Sequence, residues 1–137
     1  MILGYTTGVF DLFHHGHVNL LKNAKALCDK LIVGVSTDEL VRYKGKTPII
    51  PHEHRMTVVQ SCRYVDLTIP QENIDKLEAY KKLKFNVLFV GSDWYQDDKW
   101  IKYENNLETF GVKVRYIPYT KSVSSTLINN ILTEKRK

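Results

Sequence analysis

Thr7-Gly8-Val9-Phe10-Asp11-Leu12-Phe13-His14-His15-Gly16-His17 is the stretch that decides the fold of this chain. Before it, Ile2 to Thr6 is a short apolar run with β-forming residues. After it, Leu20, Leu21, Ala24, Leu27 and Cys28 recur at the spacing of one helix face. The stretch is therefore the connection of a strand, loop, helix unit. Gly8 and Gly16 free its backbone for close approach or unusual dihedrals. The first N–H groups of a helix lack partners within it and lie at the positive end of its dipole, so an anion is favoured there. His14 in the loop and His17 in the first turn add two side-chain donors aimed at the same place. An imidazole donates a hydrogen bond when neutral and adds charge when protonated. Solvated surface histidines, or a helix-start role for His17, are the plain alternative.

Working outward, Leu31 to Val35 reads as a second buried strand, followed by the polar Ser36-Thr37-Asp38. Met56, Val59 and Cys62 predict a helix, and Val65 to Ile69 a third strand stopped by Pro70. A helix bearing Ile74, Leu77 and Tyr80 follows, then the strand Val87 to Val90. A helix from about Lys99 to Phe110, the strand Val112 to Ile117 and a closing helix with Leu127, Ile128, Ile131 and Leu132 complete the chain. Strands alternating with helices imply an α/β fold, a Rossmann-like parallel sheet with helices on both faces. Ligands of such sheets bind beyond the strand carboxyl ends. Residues 7–17, Ser36 to Asp38, Gly91-Ser92-Asp93-Trp94 and Tyr119 to Thr126 are all expected on that one rim.

A chain of 137 residues is enough for one ordinary domain, and no repeat or linker divides it. The first residues lack the basic and long apolar segments of a secretory signal, and no apolar run reaches spanning length, so a cytoplasmic protein is expected. Cys28 and Cys62 are expected as buried reduced thiols. The net charge of +5 suits an anionic partner but comes partly from the tail Lys135-Arg136-Lys137. The other basic residues are dispersed among acids, which speaks for a nucleotide and against nucleic acid.

Several polar groups have two readings. Lys44-Gly45-Lys46 is either a solvated turn or a pair of ammonium groups closing over a polyphosphate. His52-Glu53-His54 lacks the spacing of a helical metal-binding pair, and Glu53 suits a helix start. Arg55 and Arg63 lie close to one side of a helix if it stays intact, as surface ion-pair partners or as phosphate ligands. Asp93 is either a turn residue or an acceptor for a base amino group, and Trp94 and Trp100 are packing residues first. Ser124-Ser125-Thr126 caps the last helix and is also able to bind phosphate.

The order Gly8-Val9-Phe10-Asp11, His14-His15-Gly16-His17, then Arg42-Tyr43-Lys44-Gly45-Lys46 with His54-Arg55, Arg63-Tyr64-Val65-Asp66 and finally Ser122-Val123-Ser124-Ser125-Thr126 resembles the cytidylyltransferase family of nucleotidyltransferases. The resemblance implies the nucleotidyltransferase type of α/β fold over residues 1–137. It places His14, His17 and Lys44 as catalytic groups. Thr7, Gly8, Val9, Phe10, Gly16, Lys46, Asp93, Thr120, Ser124, Ser125 and Thr126 are implied around the nucleotide, and Asp11, Asp38, Arg55 and Arg63 around the second substrate. It also implies a homodimer contact at Arg63 to Asp66. Tyr119-Thr120-Lys121-Ser122 departs from the family's Arg-Thr-Glu-Gly, which removes a guanidinium from the triphosphate site and leaves Lys121 as a nearby charge.

The implied reaction is attack of a phosphorylated alcohol, first glycerol 3-phosphate, on the α-phosphorus of CTP, releasing pyrophosphate. Ribitol phosphate, other polyol phosphates, phosphocholine and phosphoethanolamine are alternative acceptors. A phosphate monoester, with a second pKa of about 6, is already largely dianionic and needs no strong base. Magnesium is expected with the nucleotide, without an all-protein metal cage. Two rival readings are a noncatalytic nucleotide-binding regulator and a metal hydrolase using His14, His17, His52 and His54.

Overall fold

A computed structural model of the chain describes residues 1–91 and 98–118. Its elements are β1 (Leu3–Gly8), α1 (His15–Lys25), β2 (Lys30–Ser36), α2 (Asp38–Tyr43), α3 (His52–Gln60), β3 (Leu67–Gln71), α4 (Lys76–Leu83), β4 (Val87–Gly91), α5 (Asp98–Glu108) and β5 (Lys113–Ile117). The five strands form one sheet in the order β3-β2-β1-β4-β5, with every pairing parallel. The chain builds outward from β1 on one side and then crosses to β4 on the other, so the gap between β1 and β4 is the topological switch point. Residues 7–17, Ser36 to Asp38 and Gly91 share the carboxyl rim, as the alternation predicts. Ser92, Asp93 and Trp94, the segment from Tyr119 to Thr126, and the expected closing helix and basic tail lie outside the described residues.

Both faces of the sheet are covered. Leu21 and Ala24 of α1 and Val59 of α3 pack with Leu31, Val33, Val35 and Phe89 on one face. Leu107 of α5 and the half-buried Leu77, Tyr80 and Leu83 of α4 pack with Tyr5, Leu88 and Val90 on the other. Burial on two sides explains why Leu31 to Val35 and Val87 to Val90 read as continuous apolar runs instead of alternating. Each such side chain contributes roughly 1.5–3 kcal/mol on leaving water. The β1–β2 contact leaves no room for a side chain at Gly34, where a Cβ would stand 2.5 Å from the Tyr5 hydroxyl oxygen. Burial of Tyr5 raises its phenol to about 12, so it stays neutral.

The elements depart from sequence expectation in four places. Pro70 does not stop β3 but lies within it, opposite Val35. β3 is a sheet edge, so a missing N–H is tolerated there. Ile74 is 47% exposed and precedes α4, while the expected Lys99–Phe110 helix runs from Asp98 to Glu108. Residues 38–43, between the polar rim group ending at Asp38 and the expected turn at Lys44 to Lys46, form the short helix α2, whose N-cap Thr37 accepts a hydrogen bond from the Leu40 N–H at 3.2 Å. Cys28 and Cys62 are free and only partly buried.

Candidate active site

The loop after β1 folds back on the start of α1 through its two histidines. His14 is the N-cap, and its Nδ1 accepts the Gly16 N–H at 3.0 Å; the Nδ1 of His17 accepts the His14 N–H at 3.1 Å. A neutral imidazole that accepts at Nδ1 carries its proton on Nε2, so both rings are fixed as Nε2–H donors. Tautomers are thus assigned from bonding partners. Burial, with the neighbouring His14 adding to it and Asp11 opposing, brings the His17 pKa down to about 4. Burial and His15 lower that of His14. Both are uncharged near neutral pH. The ring centroids lie 4.0 Å apart, and Phe13 stacks on His17 at 5.3 Å. The Nε2 of His14 is buried with no hydrogen-bond partner among the described residues. A buried, oriented and unused donor costs free energy unless a ligand atom takes it.

Glycine does not supply the unusual backbone here. The left-handed positions are Phe10 (φ 54°) and Leu12 (φ 50°). Such conformations cost of order 1–3 kcal/mol each in non-glycine residues and persist where surroundings enforce them. Gly8 serves close approach instead, since a Cβ there would meet the Phe10 ring at 2.8 Å. An apolar hollow of about 420 Å³ lined by Phe10, Leu12, Phe13, Ile50 and Val58 lies beside this loop.

Arg55 enforces the loop. It is 1% exposed, and its guanidinium donates to the carbonyls of Ile50 (2.8 Å), Val9 (2.7 Å) and Ser36 (2.7 Å) and to Asp38 Oδ1 (2.6 Å). Burial opposes ionisation of Asp38, but hydrogen bonds from Arg55 and the His52 amide outweigh it and hold the carboxyl below its usual range. Asp11 accepts the backbone N–H groups of Ile49 and Ile50 at 2.8 and 2.9 Å. Arg55 and Asp38, expected around the second substrate, brace this loop in the structure. The geometry gives Asp11 the same role. These residues pin the β1–α1 loop to β2 and to the segment before α3. Arg63 is not on the helix of Arg55: α3 ends at Gln60, and the exposed Arg63 donates to the Tyr64 hydroxyl at 2.8 Å. Asp66 holds Lys25 Nζ at 2.5 Å and the Leu31 N–H at 2.8 Å.

Lys44 sits in a defined structure, the C-terminus of α2. Gly45 takes the left-handed conformation (φ 83°), its N–H donates to the Arg42 carbonyl at 2.9 Å, and the Lys46 N–H donates to the Val41 carbonyl at 3.1 Å. This is the double hydrogen bond of a Schellman cap, which fixes the backbone under both lysines. Desolvation and the Lys46 charge lower the Lys44 pKa. Thr7, at the carboxyl end of β1, points the other way from His17. Its Oγ1 receives a hydrogen bond at 3.0 Å from Lys76, a residue that sequence reading passed over. The available signal was its helical spacing with Tyr80 and Leu83, which places a lysine on an apolar face.

The four histidines of a hydrolase centre do not converge. His52 Nε2 donates to the Val35 carbonyl at 3.1 Å, His54 is exposed, and both Nδ1 atoms of His14 and His17 are engaged by backbone. Among the described residues, no group of three His, Cys, Asp or Glu side chains is arranged to hold a metal ion. No helix among them is long and apolar enough to cross a membrane. Asp93, Thr120, Ser124, Ser125 and Thr126, with Trp94, Tyr119 and Lys121, are outside the described residues.

A parallel α/β sheet with a histidine-capped helix at its switch point is an arrangement suited to holding phosphates, and comparison with known proteins gives its class. The family model described as cytidylyltransferase-like matches residues 5–131, and the chain belongs to that family. It is 36% identical to the glycerol-3-phosphate cytidylyltransferase of Bacillus subtilis over 90% of this chain and 91% of that one. It is 44% identical to the FAD synthase of Pyrococcus abyssi over 82% of this chain and 77% of that one. Among solved structures, the lipopolysaccharide core biosynthesis protein of Thermoplasma volcanium superposes with a TM-score of 0.74 at 29% identity. That match covers 88% of this chain and 97% of the other. The chain is thus a nucleotidyltransferase-family protein of cytidylyltransferase type.

Proposed function

We propose that this protein transfers CMP from CTP to a phosphorylated alcohol, with glycerol 3-phosphate the first acceptor, giving CDP-glycerol and pyrophosphate. The observation that carries the reading is the pair of neutral imidazoles held as Nε2–H donors, with that of His14 unused among the described residues. An acceptor phosphate oxygen forms the new bond to the α-phosphorus, the bond to the β-phosphate bridging oxygen breaks, and pyrophosphate leaves with the electron pair. A dianionic nucleophile needs no proton removed, so donors oriented on phosphoryl oxygens are what the protein must supply. His14 and His17 fill that role, and Lys44 offsets charge on the polyphosphate. Lys46 and the rim backbone of Thr7 to Phe10 and Gly16 flank the nucleotide in this reading, and Asp93, Thr120 and Ser124 to Thr126 complete its site. Magnesium would ride on the nucleotide's phosphate oxygens and water rather than on a protein cage. A homodimer is part of the proposal.

The likeness to FAD synthases favours a second reading, in which ATP is the donor and FMN the phosphorylated acceptor. Both readings use the same imidazole pair. The variant His14→Asn tests it. Asparagine is a good N-cap, so α1 keeps its cap while the Nε2–H donor is removed. Loss of one preorganised donor costs about 10²–10³ in kcat. Acceptor-dependent pyrophosphate release is expected to fall by that factor with the thermal midpoint nearly unchanged. A kcat within threefold of the parent contradicts the assignment.

A further inference from the structure

The amino ends of the strands form the edge of the sheet opposite the candidate site, and the connections α1–β2, α4–β4 and α5–β5 all turn there. Backbone hydrogen bonds join them into one strip. The Lys30 N–H donates to the Ile2 carbonyl at 3.3 Å, the Asn86 N–H to the Leu3 carbonyl at 2.7 Å and the Lys113 N–H to the Asn86 carbonyl at 3.1 Å. Along this strip Ile2, Leu27 and Phe110 are exposed by 45%, 46% and 54%, apolar surface that the two cores leave uncovered. The Phe110 ring lies 5.4 Å from that of Tyr80, and Lys84 Nζ lies 5.1 Å from the same Tyr80 ring. Lys30, Lys84 and Lys113 are exposed beside them, and among the described residues no carboxylate pairs with Lys84 or Lys113. Lys30 keeps only a 3.8 Å contact with Asp66, whose closer partners are Lys25 and the Leu31 N–H. Lysines in the last turns of α1 and α4 complement the helix dipoles there. Lys30 and Lys113 instead open strands, where the dipole is small, and dipoles give no reason for the exposed apolar side chains.

We propose that this edge of the sheet is a peripheral contact with the surface of a bilayer containing anionic lipid. The inference goes beyond the transferase reading and does not depend on it. Charge complementarity selects the partner: the ammonium groups of Lys30, Lys84 and Lys113 meet lipid phosphates while Phe110, Ile2 and Leu27 enter the headgroup region. Lysine stems lie along apolar surface and keep their charged ends in the polar layer, so both kinds of side chain serve the same contact. Both are needed, because stable attachment without a spanning helix takes more than one weak signal. A single exposed ring on this strip is too few for the aromatic track on which successive bases of a nucleic acid stack. No helix among the described residues is long and apolar enough to cross a membrane, so the protein lies on the surface through this edge. The seven residues of β2 set the carboxyl rim roughly 20 Å from the contact, where the candidate site faces water and dissolved nucleotide.

The test is flotation of the parent protein and of two variants, the double substitution Lys84→Gln with Lys113→Gln and the single substitution Phe110→Ser. Vesicles of phosphatidylcholine alone are compared with vesicles of phosphatidylcholine and phosphatidylglycerol in equal parts, at about 0.15 M salt. The parent is expected to float with the anionic vesicles and not with the neutral ones. The double variant is expected to keep the parent's thermal midpoint and to partition about 25-fold more weakly, about fivefold for each ammonium removed. Phe110→Ser is expected to weaken partitioning roughly fivefold or more. A parent that does not float, that binds both kinds of vesicle equally, or whose variants bind as well as it does overturns the proposal. Variants that change the oligomeric state while no protein floats would assign the edge to a second copy of the chain. Retention by a single-stranded RNA without flotation would assign it to nucleic acid, and either result overturns the membrane contact.

Discussion

His17 couples the site to the stability of the protein. Its folded pKa of about 4 lies below the ordinary value of 6.5, so the folded state favours the neutral ring. The unfolded chain binds the extra proton between these values. The contribution is therefore complete above pH 6.5 and is lost as pH falls from 6.5 toward 4. It amounts to roughly 1–3 kcal/mol after allowing for solvent screening. Urea midpoints are expected to drop over this window in the parent and much less in His17→Gln, and equal slopes would contradict the burial of a neutral ring. The sequence made His14 and His17 legible because loop position and spacing suffice to aim them at a helix start. It did not make Arg55 legible as a brace, because four partners spread from Val9 to Ile50 converge only in three dimensions. Lys76 was hidden for the same reason: charge suggests surface, and only the packing of α4 on the sheet buries it.

Short elements hold the site in register. β1, β2, β4 and α1 followed from apolar runs and helical spacing, since burial on the sheet writes those patterns directly into sequence. α2 did not, because six residues are too few for a helical period, although Thr37 followed by Asp38 and Glu39 is a capping signal. The β1–α1 loop, the end of β2 and the segment before α3 are all joined through Arg55, with Asp11 adding a second link between the loop and that segment. Arg55→Lys keeps one charge but cannot reproduce the planar fork of donors. Loss of those bonds with Asp38 left partly uncompensated is expected to cost about 3 kcal/mol, read as a lowered denaturation midpoint at constant m-value. A change under 0.5 kcal/mol would contradict the bracing role.

The whole molecule presents its chemistry on one edge because all the strand pairings are parallel and the order reverses at β1 and β4. That arrangement brings the histidine loop, the α2 cap with Lys44 and the buried Lys76 to the carboxyl end of the sheet. The parallel sheet was implied by alternation alone, whereas its strand order was not. Relatives named glycerol-3-phosphate cytidylyltransferase and relatives named FAD synthase are similarly alike to it, so the fold alone does not set the substrate. The most direct measurement is pyrophosphate release by the parent protein with magnesium, supplying CTP or ATP with glycerol 3-phosphate, ribitol phosphate, phosphocholine, phosphoethanolamine or FMN, and weighing the product. The account predicts acceptor-dependent release with CTP and glycerol 3-phosphate and a product of the mass of CDP-glycerol. Nucleotide binding without release for every pair, or release that is independent of acceptor, would contradict it.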